Sequence, residues 1–201
     1  MKNLINISVI AAIISVSWAG TCQASGTESI ILSPPSSQNI LDDSIAFNQT
    51  CINNDIGYRV SYPQDWQTNS GKVIDRCRVF DPHSATVPKY TESAEKAIYI
   101  WVEKNVLFAS IVQEDVSEKH LSKQDTAIAG DRAVIVESES TGEALLAEGV
   151  RKYSYIVDLG NATLIATTYD IAGNDYQKNK QILDRMMNTI EFNPQLVTIN
   201  E

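Results

Sequence analysis

Gly160-Asn161 lies between two runs of strand-forming residues: Lys152-Tyr153-Ser154-Tyr155-Ile156-Val157-Asp158 before it and Thr163-Leu164-Ile165-Ala166-Thr167-Thr168-Tyr169 after it. The pair is able to take positive φ, which tight hairpin turns ask of their central residues, and the flanking runs are dense in β-branched and aromatic side chains. A hairpin at this point commits the chain to an antiparallel sheet, and the rest of the pattern is read around it.

Upstream, residues 56–63 alternate large apolar with polar side chains until Pro63 stops the run, as a half-buried strand does. Gln64-Asp65-Trp66 then turns the chain, Asn69-Ser70-Gly71 marks another turn, and residues 73–80 read as a second strand closed by Asp81-Pro82. Residues 97–102 are apolar on both parities, which predicts a central strand covered on both faces. Asn105 is placed to cap a helix whose stripe is Leu107, Phe108, Ile111, Val112 and Val116. Ala129-Gly130-Asp131 reads as a turn into a strand over 132–137. A last helix opens at Asn174 with Gln177 three residues on, a capping-box spacing, and carries Tyr176, Ile182, Leu183, Met186, Met187 and Ile190 as its apolar stripe. Strands in hairpins with two helices far apart in sequence imply an α+β domain, an antiparallel sheet with helices packed on it.

The N-terminus gives an address. Lys2 is the one charged residue before Glu28; an apolar run over 4–16 follows it, too short to span a bilayer, and then small residues. A basic tip, a short apolar core and small residues describe a secretory signal peptide over 1–24, with cleavage after Ala24 or after Ala19 both fitting. Cys22 is an alternative attachment point for a lipid, although Ala19-Gly20-Thr21-Cys22 lacks the aliphatic residue that a bacterial lipobox carries three before its cysteine. A polar tether with Pro34-Pro35 covers 25–47, a single domain covers 48–194, and 195–201 form a tail. No later segment has transmembrane length, so the expected address is secreted or periplasmic, with a membrane-tethered lipoprotein as the alternative. In an oxidising compartment Cys51 and Cys77 remain as an even pair, and a disulfide is the default.

Composition narrows the function classes. The 201 residues carry 16 Lys+Arg against 25 Asp+Glu, a net charge of -9, and removal of Lys2 with the leader raises the acidic excess. A phosphate-backbone binder needs a basic face, so nucleic acid is not an expected partner. Anionic lipid is disfavoured on the same ground.

Three stretches resemble one family. Gly57-Tyr58-Arg59-Val60-Ser61-Tyr62-Pro63-Gln64-Asp65-Trp66 is similar to the opening of PsbP-like proteins, a glycine and aromatic followed by an alternating strand, Pro and Trp. Ala129-Gly130-Asp131-Arg132-Ala133 resembles the glycine step into their later strands. The ending, Tyr176, Ile182-Leu183-Asp184, Met187, Thr189-Ile190 and Phe192, is similar to their C-terminal pattern. The resemblance runs from about Asp55 to Phe192, and order and spacing carry it. It implies an α/β/α sandwich around a central antiparallel sheet, in a superfamily that includes extrinsic photosystem II subunits, Ran-binding Mog-type proteins and secreted bacterial proteins. It also implies binding and accessory roles more than catalysis. Fold alone licenses no specific function, and the Cys51/Cys77 pair is not carried over from the photosystem subunits.

The chain has no G-x-S-x-G, P-loop, HExxH, CxxC or dinucleotide fingerprint. Asp115-Val116-Ser117-Glu118-Lys119-His120-Leu121-Ser122 gathers a hydroxyl, an imidazole and carboxylates, but so close in sequence that it reads as a solvated helix end. His83 reads as a loop residue. Glu137, Glu139, Glu143 and Glu148 lack a calcium-loop spacing and read as a solvated acidic face. No metal or cofactor is expected. Trp66 and Trp101 read as core residues at strand positions, with the aromatics of a ligand groove as the alternative. Asn48-Gln49-Thr50 and Asn161-Ala162-Thr163 match glycosylation acceptors. The sequence thus predicts a secreted, non-catalytic binding or accessory module with an unspecified protein or small-molecule partner. A small hydrolase with a site assembled from distant residues and a structural protein tethered through Cys22 are the alternatives.

Overall fold

The computed structural model describes residues 45–87 and 95–193. The leader, Cys22, the tether up to residue 44 and the tail over 195–201 lie outside the described residues. Contacts divide the chain into units 1–39 and 40–201, and the description concerns the second.

A large sheet dominates it. Seven strands run in the order β3 (Gln67–Thr68), β4 (Val79–Asp81), β5 (Ile98–Lys104), β9 (Ala162–Tyr169), β8 (Arg151–Asp158), β7 (Asp131–Ser140), β6 (Glu118–Ile128). Every pairing is antiparallel. A small sheet joins β1 (Gln49–Asn53), β2 (Tyr58–Tyr62) and β10 (Glu191–Phe192), with β2 in the middle. Among the described residues two helices complete the unit, α1 (Phe108–Ile111) and α2 (Tyr176–Met187). This is the α+β architecture, antiparallel sheet with helices on it, that the hairpin signal implied.

The strand period of two sorts side chains onto two faces. On one face Ile98, Ile100, Ala133, Tyr155, Val157, Leu164 and Ala166 form the main core with Ile182, Leu183, Met186 and Met187 of α2 and with Val60 and Trp66. Opposite it, Val134, Val136 and Ile156 meet Phe108 and Val112 in a smaller cluster under α1. A helix of twelve residues covers one face and a single turn covers part of the other, so among the described residues much of the second face carries no helix.

Several expected elements differ. The strand expected over 73–80 is reduced to β4, because Asn69 gathers the loop before it. Its amide donates to the carbonyls of Ile74 and Asp75, and its Oδ1 accepts from the N–H groups of Arg78 and Val79. Cys77 there takes φ 64° and is bonded to Cys51, with Cα atoms 5.8 Å apart. Asn105 caps nothing; it stands in the left-handed region at φ 58°, and α1 opens at Leu107 without a side-chain cap. The helix then stops after one turn. Glu114 and Asp115 accept from the N–H groups of His120 and Ser117, and Val116 of the expected stripe is 83% exposed. The segment read as a solvated helix end runs instead into β6, an eleven-residue edge strand whose polar composition hid it. It joins β7 through Ala129-Gly130, both with positive φ (52° and 93°), the conformation a two-residue hairpin loop requires.

α2 begins one residue later than read. Asp175, not Asn174, is its N-cap, with the side chain accepting from the Lys178 N–H. The domain also begins earlier than residue 48: the Arg185 guanidinium donates to the carbonyl of Ile45 and stacks 4.1 Å from the Phe47 ring centroid. Among the described residues no helix is long and apolar enough to cross a membrane.

Candidate functional site

The open part of the large sheet holds the site. Tyr99, Trp101 and Glu103 of β5 stand on the face away from α2, as do Ile165, Thr167 and Tyr169 of β9. Lys152, Ser154 and Ile156 of β8, Val136 and Ser138 of β7, and Glu118 and His120 of β6 share it, since each strand contributes its alternate residues. Between β5 and β6 the floor is made of Ile165, Ile156, Ser154 and Val136 together with Tyr169 and Lys152, and the loop carrying Val106 and α1 with Ile111 border it. The result is an open groove of about 360 Å³.

One row of the floor is apolar. Trp101 lies opposite Ile165, which lies opposite Ile156. The half-buried indole is held by its Nε1–H, which donates to Glu103 Oε1 at 2.9 Å. A second row is polar. Tyr169 lies opposite Lys152, Lys152 opposite Ser138, and Ser138 opposite His120. The Lys152 ammonium donates to Glu118 Oε1, and Glu118 Oε2 accepts from the Ser138 hydroxyl at 3.0 Å. The hydroxyls of Ser154 and Thr167 share a bond of 2.8 Å beneath them. Burial, then the charge of Glu118 and the neighbouring Tyr99, push the Tyr169 phenol up to about 12. It is therefore a neutral hydroxyl at physiological pH.

The aromatic pair from the sequence is divided by the sheet. Trp101 borders the groove and is half-buried, so the reading of it as core, and of β5 as covered on both faces, is corrected: α1 is too short to reach it. Trp66 lies in the main core at 8% exposure, as the core reading had it, and does not face the groove. His120 comes from the strand β6 rather than a helix end and faces the groove. His83 is in a loop, its N–H and that of Ser84 donating to Asp81 Oδ1.

The acidic face is also corrected at one position. Glu137 points to the α2 side, where Tyr176 and Lys180 donate to its two oxygens at 2.9 and 2.8 Å. Burial opposes its charge, but these two donors outweigh that and hold the carboxyl below its ordinary value. Nearby, Tyr153 and Tyr155 both donate to Asp184 Oδ1, and the Lys180 ammonium sits 4.6 Å from the Tyr153 ring centroid. This network clamps α2 to the sheet. Among the described residues no three His, Cys, Asp or Glu side chains group as a metal site would require.

Trp101, and His120 with Glu118, were legible as candidates in the sequence, whereas Lys152, Ser154, Ile165 and Tyr169 were not. The signal was available in part: within the confident hairpin, Lys152, Ser154 and Ile156 share one parity and Ile165, Thr167 and Tyr169 share another. Which parity stays open depends on how little of the sheet α1 covers, and that is a tertiary outcome.

No protein-family model matches the chain, and no curated protein matches it in sequence. The solved structures similar to it in fold include two at low identity. One is the solution structure of cyanobacterial PsbP (CyanoP) from Synechocystis, 10% identical, with a TM-score of 0.45, covering 72% of this chain and 92% of that one. The other is a crystal structure from Bacteroides thetaiotaomicron, 12% identical, with a TM-score of 0.43, covering 74% of this chain and 49% of that one. The α+β architecture described above rests on the chain's own strand order and helix placement.

Proposed function

We propose that this chain is a non-catalytic binding or accessory module of the cell envelope or extracellular space, and that its ligand occupies the groove on the open sheet face. One observation carries the reading: the half-buried Trp101 indole borders a groove floored by the buried Ile165 and Ile156, and four residues along β8 and β9 the same groove holds polar groups already bonded to one another. That combination suits recognition, with apolar area for affinity and a few fixed polar atoms for orientation. A hydrolytic site would need His120 paired to a carboxylate and a hydroxyl in the groove. Glu118 is instead bonded to Lys152 and Ser138, and Ser154 to Thr167. Export is supported by the leader-like N-terminus and by the cysteine pair.

The test uses protein purified from the envelope or medium of an expressing cell. Its intact mass should correspond to a start at Ser25 or Gly20; a mass fitting a diacylated Cys22 would support the tethered alternative. The same protein is assayed on chromogenic esters, amides, glycosides and phosphates. The expected result is no turnover above that of buffer. Turnover that His120→Ala abolishes would overturn the binding reading in favour of a hydrolase.

A further inference from the structure

The groove's chemistry restricts what it can hold. Its apolar row includes the half-buried Trp101 indole, whose Nε1–H donates to the exposed Glu103. Rigid aromatic surface of this kind favours a ligand with a flat apolar face. Its polar row presents a donor and an acceptor side by side. Among the described residues Glu118 takes one of the three hydrogens on the Lys152 ammonium, which leaves others for a ligand oxygen. Glu118 itself, with two oxygens, has lone pairs beyond those that Lys152 and Ser138 use. Tyr169 adds a hydroxyl that stays protonated.

Charge narrows the class further. Glu103 and Glu118 place two carboxylates at the groove against the single ammonium of Lys152, so an anionic ligand meets net repulsion. An alkyl chain long enough to fill the groove would satisfy the indole and the isoleucines, but it would desolvate the Lys152–Glu118 pair and return no hydrogen bond, an unfavourable exchange. The two rows are four residues apart along β8 and β9, about 13 Å, so a neutral glycan of two or three rings, rather than a single ring, reaches both. One ring's C–H face lies flat on an indole, and adjacent hydroxyls both donate and accept, matching a lysine–carboxylate pair. The groove's volume and openness suit a short stretch of a glycan rather than an enclosed metabolite.

We infer that the groove on the open face binds a neutral carbohydrate, stacked on Trp101 and hydrogen-bonded by Lys152 and Glu118. The inference rests on the reading of the groove as a ligand site and adds the ligand's class. The whole protein is titrated with glucose, galactose, N-acetylglucosamine and their short neutral oligomers, following tryptophan fluorescence and the indole N–H resonances. At least one sugar should bind saturably in the millimolar range or tighter and shift the Trp101 indole while leaving Trp66 unmoved. Trp101→Ala and Lys152→Met should each weaken that binding about tenfold, Trp101→Tyr should keep part of it, and Lys178→Ala on the exposed side of α2 should not change it. Nile red, a neutral apolar probe, separates the two failures. If Nile red binds in a Trp101-dependent way and no sugar does, the carbohydrate inference is overturned and the binding groove stands. Should neither bind, both fall. Binding of sugar that survives Trp101→Ala and Lys152→Met would also overturn it, since the site would lie elsewhere.

Discussion

Glu137 shows how one residue's meaning depends on which way its strand faces. In sequence it stands among Glu139, Glu143 and Glu148 as part of an acidic run; in the fold its two oxygens take hydrogens from Tyr176 and Lys180. Because its folded pKa is depressed, the interaction contributes stability that is fully present above the ordinary carboxylate value of 4.5 and is lost as pH falls through the lower, folded value. Glu137→Gln should therefore lower stability by about 1–3 kcal/mol at neutral pH, the usual loss for a charged hydrogen bond. The gap in Tm between variant and wild type should close as the buffer is taken below pH 4.5, and thermal melts across that range check it. Asn69 makes the same point without charge. A turn was legible at Asn69-Ser70-Gly71, but not that its side chain would make four bonds to the backbone of 74–79 and leave only a three-residue strand. Such side-chain-to-backbone competition has no periodic signature.

At the level of elements, legibility followed the strength of the local signal. The hairpin of β8 and β9, where Gly160 takes φ 84° and Asn161 beside it does not enter the left-handed region, was readable because strand propensity and a turn glycine agree there. The stripe of α2 was readable for the same reason, and its start was missed by one residue because Asn174 and Asp175 are both good caps. Asp175→Ala should cost about 1 kcal/mol, seen as a lower Tm with an unchanged fold by circular dichroism, whereas Asn174→Ala should cost less. β6 was unreadable on pattern alone. Its residues are mostly exposed, and pairing to β7 over ten positions, with a bulge between His120 and Ser122, makes it a strand. Its polar character suits an edge: Lys119, Lys123 and the bulge discourage a foreign strand from adding there. α1 failed in the opposite sense. Its apolar stripe was real in part: Phe108 and Val112 are buried and Ile111 packs against them, while Leu107 and Val116 stay exposed, and one turn is enough for that contact.

For the whole molecule, the asymmetry of the two helices is what creates a site. A twelve-residue α2 seals one face of the sheet, and a four-residue α1 leaves the other with a groove bordered by Trp101, Tyr169, Lys152 and Glu118. The small sheet is fastened to the loop before β4 by the Cys51–Cys77 bond, which closes a separation of 26 residues and constrains the unfolded chain by about 3–4 kcal/mol on the loop-entropy model. The groove floor is built on paired strands, so it is already shaped before a ligand arrives. The claim that this open face is the ligand site is most directly tested by two-dimensional amide NMR of the protein titrated with a mixture of small neutral organic fragments. Shifts should concentrate at Trp101, Ser154, Ile156, Ile165 and Tyr169, and should be lost in Trp101→Ala. Shifts concentrated on α2 or around Tyr58 and Phe192 of the small sheet, with the open face unmoved, would contradict the account.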